Sequence, residues 1–191
     1  MKRHNQPLGQ LKSEHGWSNK IVRLLWGIVW TFLFAPTPRY MLNGWRCLLL
    51  RIFGADLGVG CEVYPTCRIW APWNLTMGDY SVLSDNVDCY CVEKITLGPH
   101  SRVSQYSFLC AAGHDYESMP MPLTKAPIKI GAYVWICADV YVGMGVEIGD
   151  GAVVGARSSV LRSIQPWVVV AGSPARIVNQ RKFRPNQKEQ P

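Results

Sequence analysis

The chain has 191 residues, 48% of them hydrophobic, which is enough for one sizeable domain with its own core. Its formal net charge of +7 gathers at the ends: Lys2, Arg3, Lys12, Lys20 and Arg23 near the start, Arg176, Arg181, Lys182, Arg184 and Lys188 near the finish. These tails carry no base-stacking aromatic pattern, so no nucleic-acid partner is expected; contact with a membrane surface or attraction of a phosphorylated cofactor are the remaining readings. Seven cysteines, none in a CxxC pair, argue against a zinc site and for a reducing, cytoplasmic compartment, where free cysteine serves as a small core residue.

In chain order, the first element is the apolar run from Leu24 to Phe34. It is shorter than the roughly 20 residues of a spanning helix, and Pro36 and Pro38 end it. Its basic leader is long and no A-x-A cleavage site follows, which is unlike a signal peptide. The segment Ile21–Phe34 is expected to form a helix that does not span. It either packs on the domain or lies at the edge of a bilayer, where Trp26, Trp30 and Phe32 beside Lys20 and Arg23 would suit. A second helix is expected with Thr37 as cap, Pro38 as first residue and Gly54 as terminator. Between them Tyr40, Trp45, Leu48, Leu49, Ile52 and Phe53 recur at helical spacing.

From residue 57 the period becomes six. Leu57, Val63, Ile69 and Leu75 form one run; Met77, Leu83, Cys89 and Ile95 a second; Leu97, Val103 and Leu109 a third. Ile130, Ile136, Val142, Ile148, Val154 and Val160 form a fourth. A small residue often follows, as at Gly58, Gly78, Gly98, Gly131, Gly143, Gly149 and Gly155. Six fits neither a helix nor an alternating strand. It is the mark of a parallel β-helix, in which three hexapeptides make one triangular coil and the aliphatic residue of each points inward. Glycine is expected to ease the chain round each corner. The first three runs restart at 57, 77 and 97, which implies two extra residues at one corner of each coil. The expected fold is therefore an all-β solenoid with N-terminal helices and an inserted active-site loop. Its parts are residues 1–55, basic and helical; 56–165, the repeats, interrupted by a loop at 111–127; and 166–191, a basic tail.

Five stretches then match a known family: "IFGADLGVG" (52–60), "PWNLTMGDYS" (72–81), "GHDYES" (113–118), "PIKIGAYVWICADVYVGMGVEIGDGAVVGARSSV" (127–160) and "VVAGSPARIV" (169–178). On these the chain resembles the hexapeptide-repeat acetyltransferases, above all those of colanic-acid and exopolysaccharide biosynthesis. The resemblance implies a left-handed β-helix, a homotrimer, acetyl-coenzyme A as co-substrate in a cleft between neighbouring prisms, and a loop histidine as base. That histidine is His114. An imidazole titrates near neutral pH and can take the proton of a sugar hydroxyl, an effect worth typically 10²–10⁴-fold. Asp115 or Glu117 could orient it. The resemblance also implies that Trp135, Ala138, Ala156 and Arg176 border the cofactor. The stretch "SDNVDCYC" supplies the candidate acceptor contacts Ser84, Asp85, Asn86, Asp88 and Tyr90.

The expected reaction is O-acetylation of a sugar or exopolysaccharide precursor, in the cytoplasm, with the inner face of the membrane, reached through residues 21–34, as the second reading of location. An antibiotic such as chloramphenicol is the alternative acceptor, and a non-catalytic binding β-helix the alternative class. A γ-type carbonic anhydrase would need three histidines on zinc. The repeats offer only His100 and His114, and no metal is expected.

Overall fold

In a computed structural model, residues 16–119 and 121–182 are described. Lys2, Arg3, Lys12, Arg184 and Lys188 lie outside them. The repeats form a left-handed parallel β-helix of about six turns. Strands are numbered in chain order. The first face stacks β1 (Asp56–Leu57), β4 (Leu75–Met77), β7 (Ile95–Leu97), β12 (Ile128–Ile130) and β15 (Glu147–Ile148). The second stacks β2 (Glu62–Val63), β5 (Val82–Leu83), β8 (Arg102–Val103), β13 (Trp135–Ile136), β16 (Val153–Val154) and β18 (Val168–Ala171) in parallel, closed by antiparallel β19 (Arg176–Gln180). The third stacks β3 (Arg68–Ile69), β6 (Asp88–Tyr90), β9 (Phe108–Cys110), β14 (Tyr141–Val142) and β17 (Ser159–Val160). The period-six residues pair coil to coil, Leu83 with Val103 and Cys89 with Leu109, and their side chains fill the interior. Six of the seven cysteines are buried, and all are free thiols.

Two details differ from the expected corners. The two extra residues of the early coils lie between the third and first faces, where they lengthen the first-face strand. Leu75 and Met77, and likewise Ile95 and Leu97, both point inward. The glycines do not turn every corner either. Gly58, Gly78, Gly98, Gly131 and Gly149 form one column at the exit of the first face, each directly beneath the next coil. The reason is space: a Cβ on Gly98 would lie 2.6 Å from the amide nitrogen of Ala132. The left-handed turn two residues later is made mostly by side-chain-bearing residues. Tyr80, His100 and Tyr133 have φ of 56°, 58° and 57°. Their rings stack with centroids 5.3 and 4.9 Å apart, so packing offsets the backbone cost.

The helices close the N-terminal end of the solenoid. α1 (Trp17–Val29) runs into a π-helical turn, Trp30–Phe34, and α2 spans Asn43–Ile52. The wider π turn returns Phe34 to the side of Trp26, their ring centroids 5.9 Å apart, and both are buried. The second helix starts later than its sequence signals. Residues 35–42 instead wrap the buried guanidinium of Arg46, whose Nη1 donates to the Thr37 hydroxyl and to the carbonyls of Pro38 and Met41. Thr37 therefore serves Arg46 and does not cap a helix.

Each edge strand of the first coil is satisfied by a side chain from this cap. Trp26 and Trp30 donate to the carbonyls of Ile69 and Cys67. Asn43 donates to Cys61 and accepts from the Val63 amide, and Arg46 Nε donates to Val63. Arg51 donates to Leu57 and Gly58. A sheet edge that would otherwise present unpaired backbone is covered on all three faces. No described helix is long and apolar enough to cross a membrane.

Candidate active site

The insertion at 111–127 leaves the solenoid at the same corner that holds the extra residues of the earlier coils. Its β10 (Ala112–His114) and β11 (Leu123–Lys125) form an antiparallel hairpin, registering His114 with Leu123. The hairpin rests on the next coil through Thr124 Oγ1, 3.7 Å from Met144 Sδ. His114 is exposed at its tip side. Its Nδ1 lies 2.8 Å from the Met121 carbonyl oxygen. A carbonyl can only accept, so Nδ1 carries the proton and Nε2 keeps a free lone pair. Asp115 is occupied in its own turn, its Oδ1 accepting from the Glu117 amide. Neither Asp115 nor Glu117 has a hydrogen bond to the imidazole among the described contacts; the orienting group is a backbone carbonyl, which no sequence pattern announces.

Trp135 is half exposed on the second face, with Nε1 donating to Ser104 Oγ at 3.1 Å. Ala138 and Ala156 stack in successive coils at the edge between the second and third faces, where the Arg157 amide donates to the Ala138 carbonyl. The same column holds Asp85 and Gln105 in the lower coils. Arg176 opens β19, exposed, its Nη1 donating to its neighbour's carbonyl at Ala175. Arg181, by contrast, is tied down, donating to the carbonyls of Tyr133 and Gly151. His114 and the alanine column thus lie on different edges of one prism.

The acceptor candidates separate into two places. Ser84, Asp85 and Asn86 line a shallow depression of about 520 Å³ with Arg39, Tyr64, Gln105 and Tyr106. Both Asp85 oxygens are engaged there, one by the Thr66 hydroxyl and one by Arg39 at 2.8 Å. Asp88 and Tyr90 lie instead on the third face, in a cleft of about 600 Å³ roofed by α1. That face carries a ladder of rings: Trp70, Tyr90, Phe108 and Tyr141, with successive centroids 5.6, 6.2 and 5.7 Å apart. It leads up to the root of the His114 hairpin, since β6 pairs with β9 and β9 runs into β10. Burial pushes the Asp88 carboxyl above the ordinary carboxylate range, partly opposed by Arg68. Sequence reasoning missed Trp70 and Arg68; the signal that could have found them is their place beside the inward Ile69, twenty residues before Tyr90 and Asp88. No group of three metal-ligating side chains occurs among the described residues, and His100 is held in its ring stack.

A model of the family "Bacterial transferase hexapeptide (six repeats)" matches residues 127–162. WcaF of Escherichia coli K12, provisionally named as a colanic acid biosynthesis acetyltransferase, is 44% identical over 163 residues, 85% of this chain and 89% of its own. The galactoside O-acetyltransferase of Escherichia coli K12 is 32% identical over 131 residues, 67% of this chain and 56% of its own. In structure, the chain is similar to a hexapeptide-repeat acetyltransferase of Vibrio cholerae O1 biovar eltor, crystallised with acetyl-coenzyme A. The TM-score is 0.80 at 24% identity, over 90% of this chain and 93% of that one.

Proposed function

Because the chain belongs to the hexapeptide-repeat acetyltransferases, we propose that it moves an acetyl group from acetyl-coenzyme A to a hydroxyl of a sugar or exopolysaccharide precursor. The observation that carries the mechanism is the 2.8 Å contact between His114 Nδ1 and the Met121 carbonyl. It leaves Nε2 as the proton acceptor. As the acceptor hydroxyl oxygen attacks the thioester carbonyl, its proton passes to Nε2. The tetrahedral intermediate collapses to the sugar ester, and the same proton passes from the imidazolium to the departing sulfur of coenzyme A.

The cofactor is assigned to the edge of Ala138 and Ala156. Small side chains there let the pantetheine arm approach, Trp135 borders it, and the exposed guanidinium of Arg176 suits nucleotide phosphates. His114 lies on another edge, so the site is assembled between copies, the hairpin of one reaching the alanine edge of the next; this is the argument for a homotrimer. The acceptor is assigned to the third-face cleft with Asp88 and Tyr90. Ser84, Asp85 and Asn86, in the separate depression across the corner, are a second acceptor contact only if the saccharide extends round that edge. In this division the described part of residues 1–55 caps the solenoid, 56–165 carry the chemistry with the loop at 111–127, and the described part of 166–191 serves the cofactor.

The cap also supports contact with the inner face of a membrane. Ile21, Leu24, Leu25, Ile28 and Phe32 are all exposed, and residues 15–55 hold five arginines or lysines and no carboxylate. Flotation of the purified protein with anionic vesicles tests this: binding is expected, and its absence removes the membrane contact.

The central test is His114→Ala, assayed with labelled acetyl-coenzyme A and a panel of sugars plus chloramphenicol. Turnover should fall at least about a hundredfold while coenzyme A affinity barely changes. Near-normal turnover of this variant would falsify the assignment of the base.

A further inference from the structure

The third-face cleft has an electrostatic character that a neutral sugar does not call for. Lys20 and Arg23 reach it from α1 and Arg68 from β3, against a single carboxylate, Asp88. None of the three cations lies within ion-pair distance of a described carboxylate; the four ion pairs of the described residues are elsewhere. Nor does any of them donate a hydrogen bond to a described protein group, unlike Arg46, Arg51 and Arg181, whose guanidinium groups are consumed by backbone carbonyls. Arg23 is nevertheless held in position. Its guanidinium lies 4.0 Å from the ring centroid of Trp70, and Trp70 is itself braced by the edge of Tyr90. The helix that carries Arg23 is pinned by the Trp26 indole on the Ile69 carbonyl of β3, and the turn that follows it by the Trp30 indole on the Cys67 carbonyl. A stacked, half-buried guanidinium with its donors unused is a preorganised receptor for a planar or tetrahedral anion.

The position is as informative as the charge. Asp88 and Tyr90 sit one coil below Phe108 and Cys110, about 4.8 Å away along the solenoid, and the latter strand feeds the hairpin of His114. A saccharide that fills the cleft would have hydroxyls directed up the aromatic ladder toward the base and any acidic substituent directed down toward the cap. From this we infer that the acceptor is an acidic saccharide, its carboxylate or phosphate held by Arg23, Arg68 and Lys20, with Asp88 and Tyr90 receiving the hydroxyls of the ring. The inference rests on the acetyl-transfer reading for its meaning, though not for its test. In this arrangement the cap helix is part of the acceptor site, because it contributes two of the three cations.

The experiment uses matched pairs of small probes on the full-length protein: methyl glucoside against methyl glucuronide, and glucose against glucose 1-phosphate. Binding is measured by titration calorimetry at low salt without acetyl-coenzyme A, and acetyl transfer is measured separately with it. The acidic member of at least one pair should bind about tenfold more tightly or better, and the advantage should shrink as salt is raised. The pair that shows it distinguishes a carboxylate from a phosphate. In the double variant Arg23→Gln/Arg68→Gln the acid-to-neutral ratio should fall to within about twofold of unity. Lys129→Gln, which removes a cation from the first face, should leave the ratio in place. If the double variant does not fold, Arg68→Gln alone, on an exposed strand position, should cut the ratio at least about threefold. Equal binding within both pairs, or an acid preference that survives these substitutions, overturns the acidic-acceptor site. Acid binding without transfer to any sugar leaves the site standing and sinks the transferase reading; transfer to neutral and acidic members alike does the reverse.

Discussion

Replacing Arg46 by methionine should destabilise the whole N-terminal end of the solenoid. Arg46 is 1% exposed and sits where the cap meets the second face. Its guanidinium makes bonds of 2.7 Å to Val63, 2.8 Å to Met41 and 2.9 Å to Thr37, with longer ones of 3.2 Å to Pro38 and 3.4 Å to Arg39. Burial pulls its pKa below the ordinary guanidinium value, with Cys47 and Asp85 opposing, so the charge is held at some desolvation cost. Removing that charge recovers the cost, and methionine retains much of the apolar stem. The acceptors remain, however. Four carbonyls lose a charged donor, and a buried group left unmade costs about 1–3 kcal/mol each. The 37–41 loop lies near solvent, and water will recover part of this. A net loss of about 3–5 kcal/mol follows, comparable to breaking a buried charged contact. At roughly 2–4 °C per kcal/mol for a chain of this size, the melting temperature should fall by about 6–20 °C. Calorimetric melts of wild type, Arg46→Met and Arg46→Lys provide the measurement. Lysine should fall between, since it keeps the charge but lacks the fork. Hydrogen exchange should show the lost protection concentrated in the first coil, residues 57–69. A methionine variant melting within about 2 °C of wild type would refute the reasoning.

Three further outcomes follow from the packing. Gly98→Ala should be destabilising by more than about 2 kcal/mol in urea unfolding, because its Cβ meets backbone of the next coil, which has no side chain to move aside. Asp88→Asn should raise the melting temperature at neutral pH. The folded carboxyl pKa is raised, so the folded state holds its proton more readily, and stability is lost as pH rises from the unfolded through the folded value. The advantage of asparagine should disappear when pH is brought below the ordinary carboxylate range. With six of seven cysteines buried, and Cys137 partly exposed with its thiol pKa raised by burial, the native protein should react slowly, with about one equivalent of thiol reagent. All seven should react in guanidinium, and rapid reaction of several native thiols would contradict the packing.

The coils were legible because their physics is periodic: a residue that must point inward every six positions leaves an unmistakable column of Leu, Ile and Val. The cap was half legible. The apolar run gave α1 and its inability to span, and one face does pack on the domain. The start of α2 was misjudged because Thr37 and Pro38 look like a helix entry, whereas the buried Arg46 claims the backbone they lie on. His114 was singled out by the motif around it, and its role as base is the proposal tested by His114→Ala. Its partner was not singled out, because a main-chain carbonyl from the returning strand of a hairpin carries no residue code. The division of the acceptor candidates was equally hidden. Asp85 and Asp88 are three residues apart in sequence, but a corner lies between them, and they face different surfaces.

A parallel β-helix repeats its own lattice at every coil, so each terminal coil is a growth face on which another chain could register. In this molecule the first growth face is blocked on all three sides, and the last is interrupted on its second face. At the start, two indoles, one amide and two guanidinium groups occupy the hydrogen-bonding positions where another coil would dock. At the finish, β19 reverses direction and meets β18 with a register shift at Val169 and Val170, breaking the parallel repeat. The flanks are left as the surfaces on which the proposed side-by-side assembly would form.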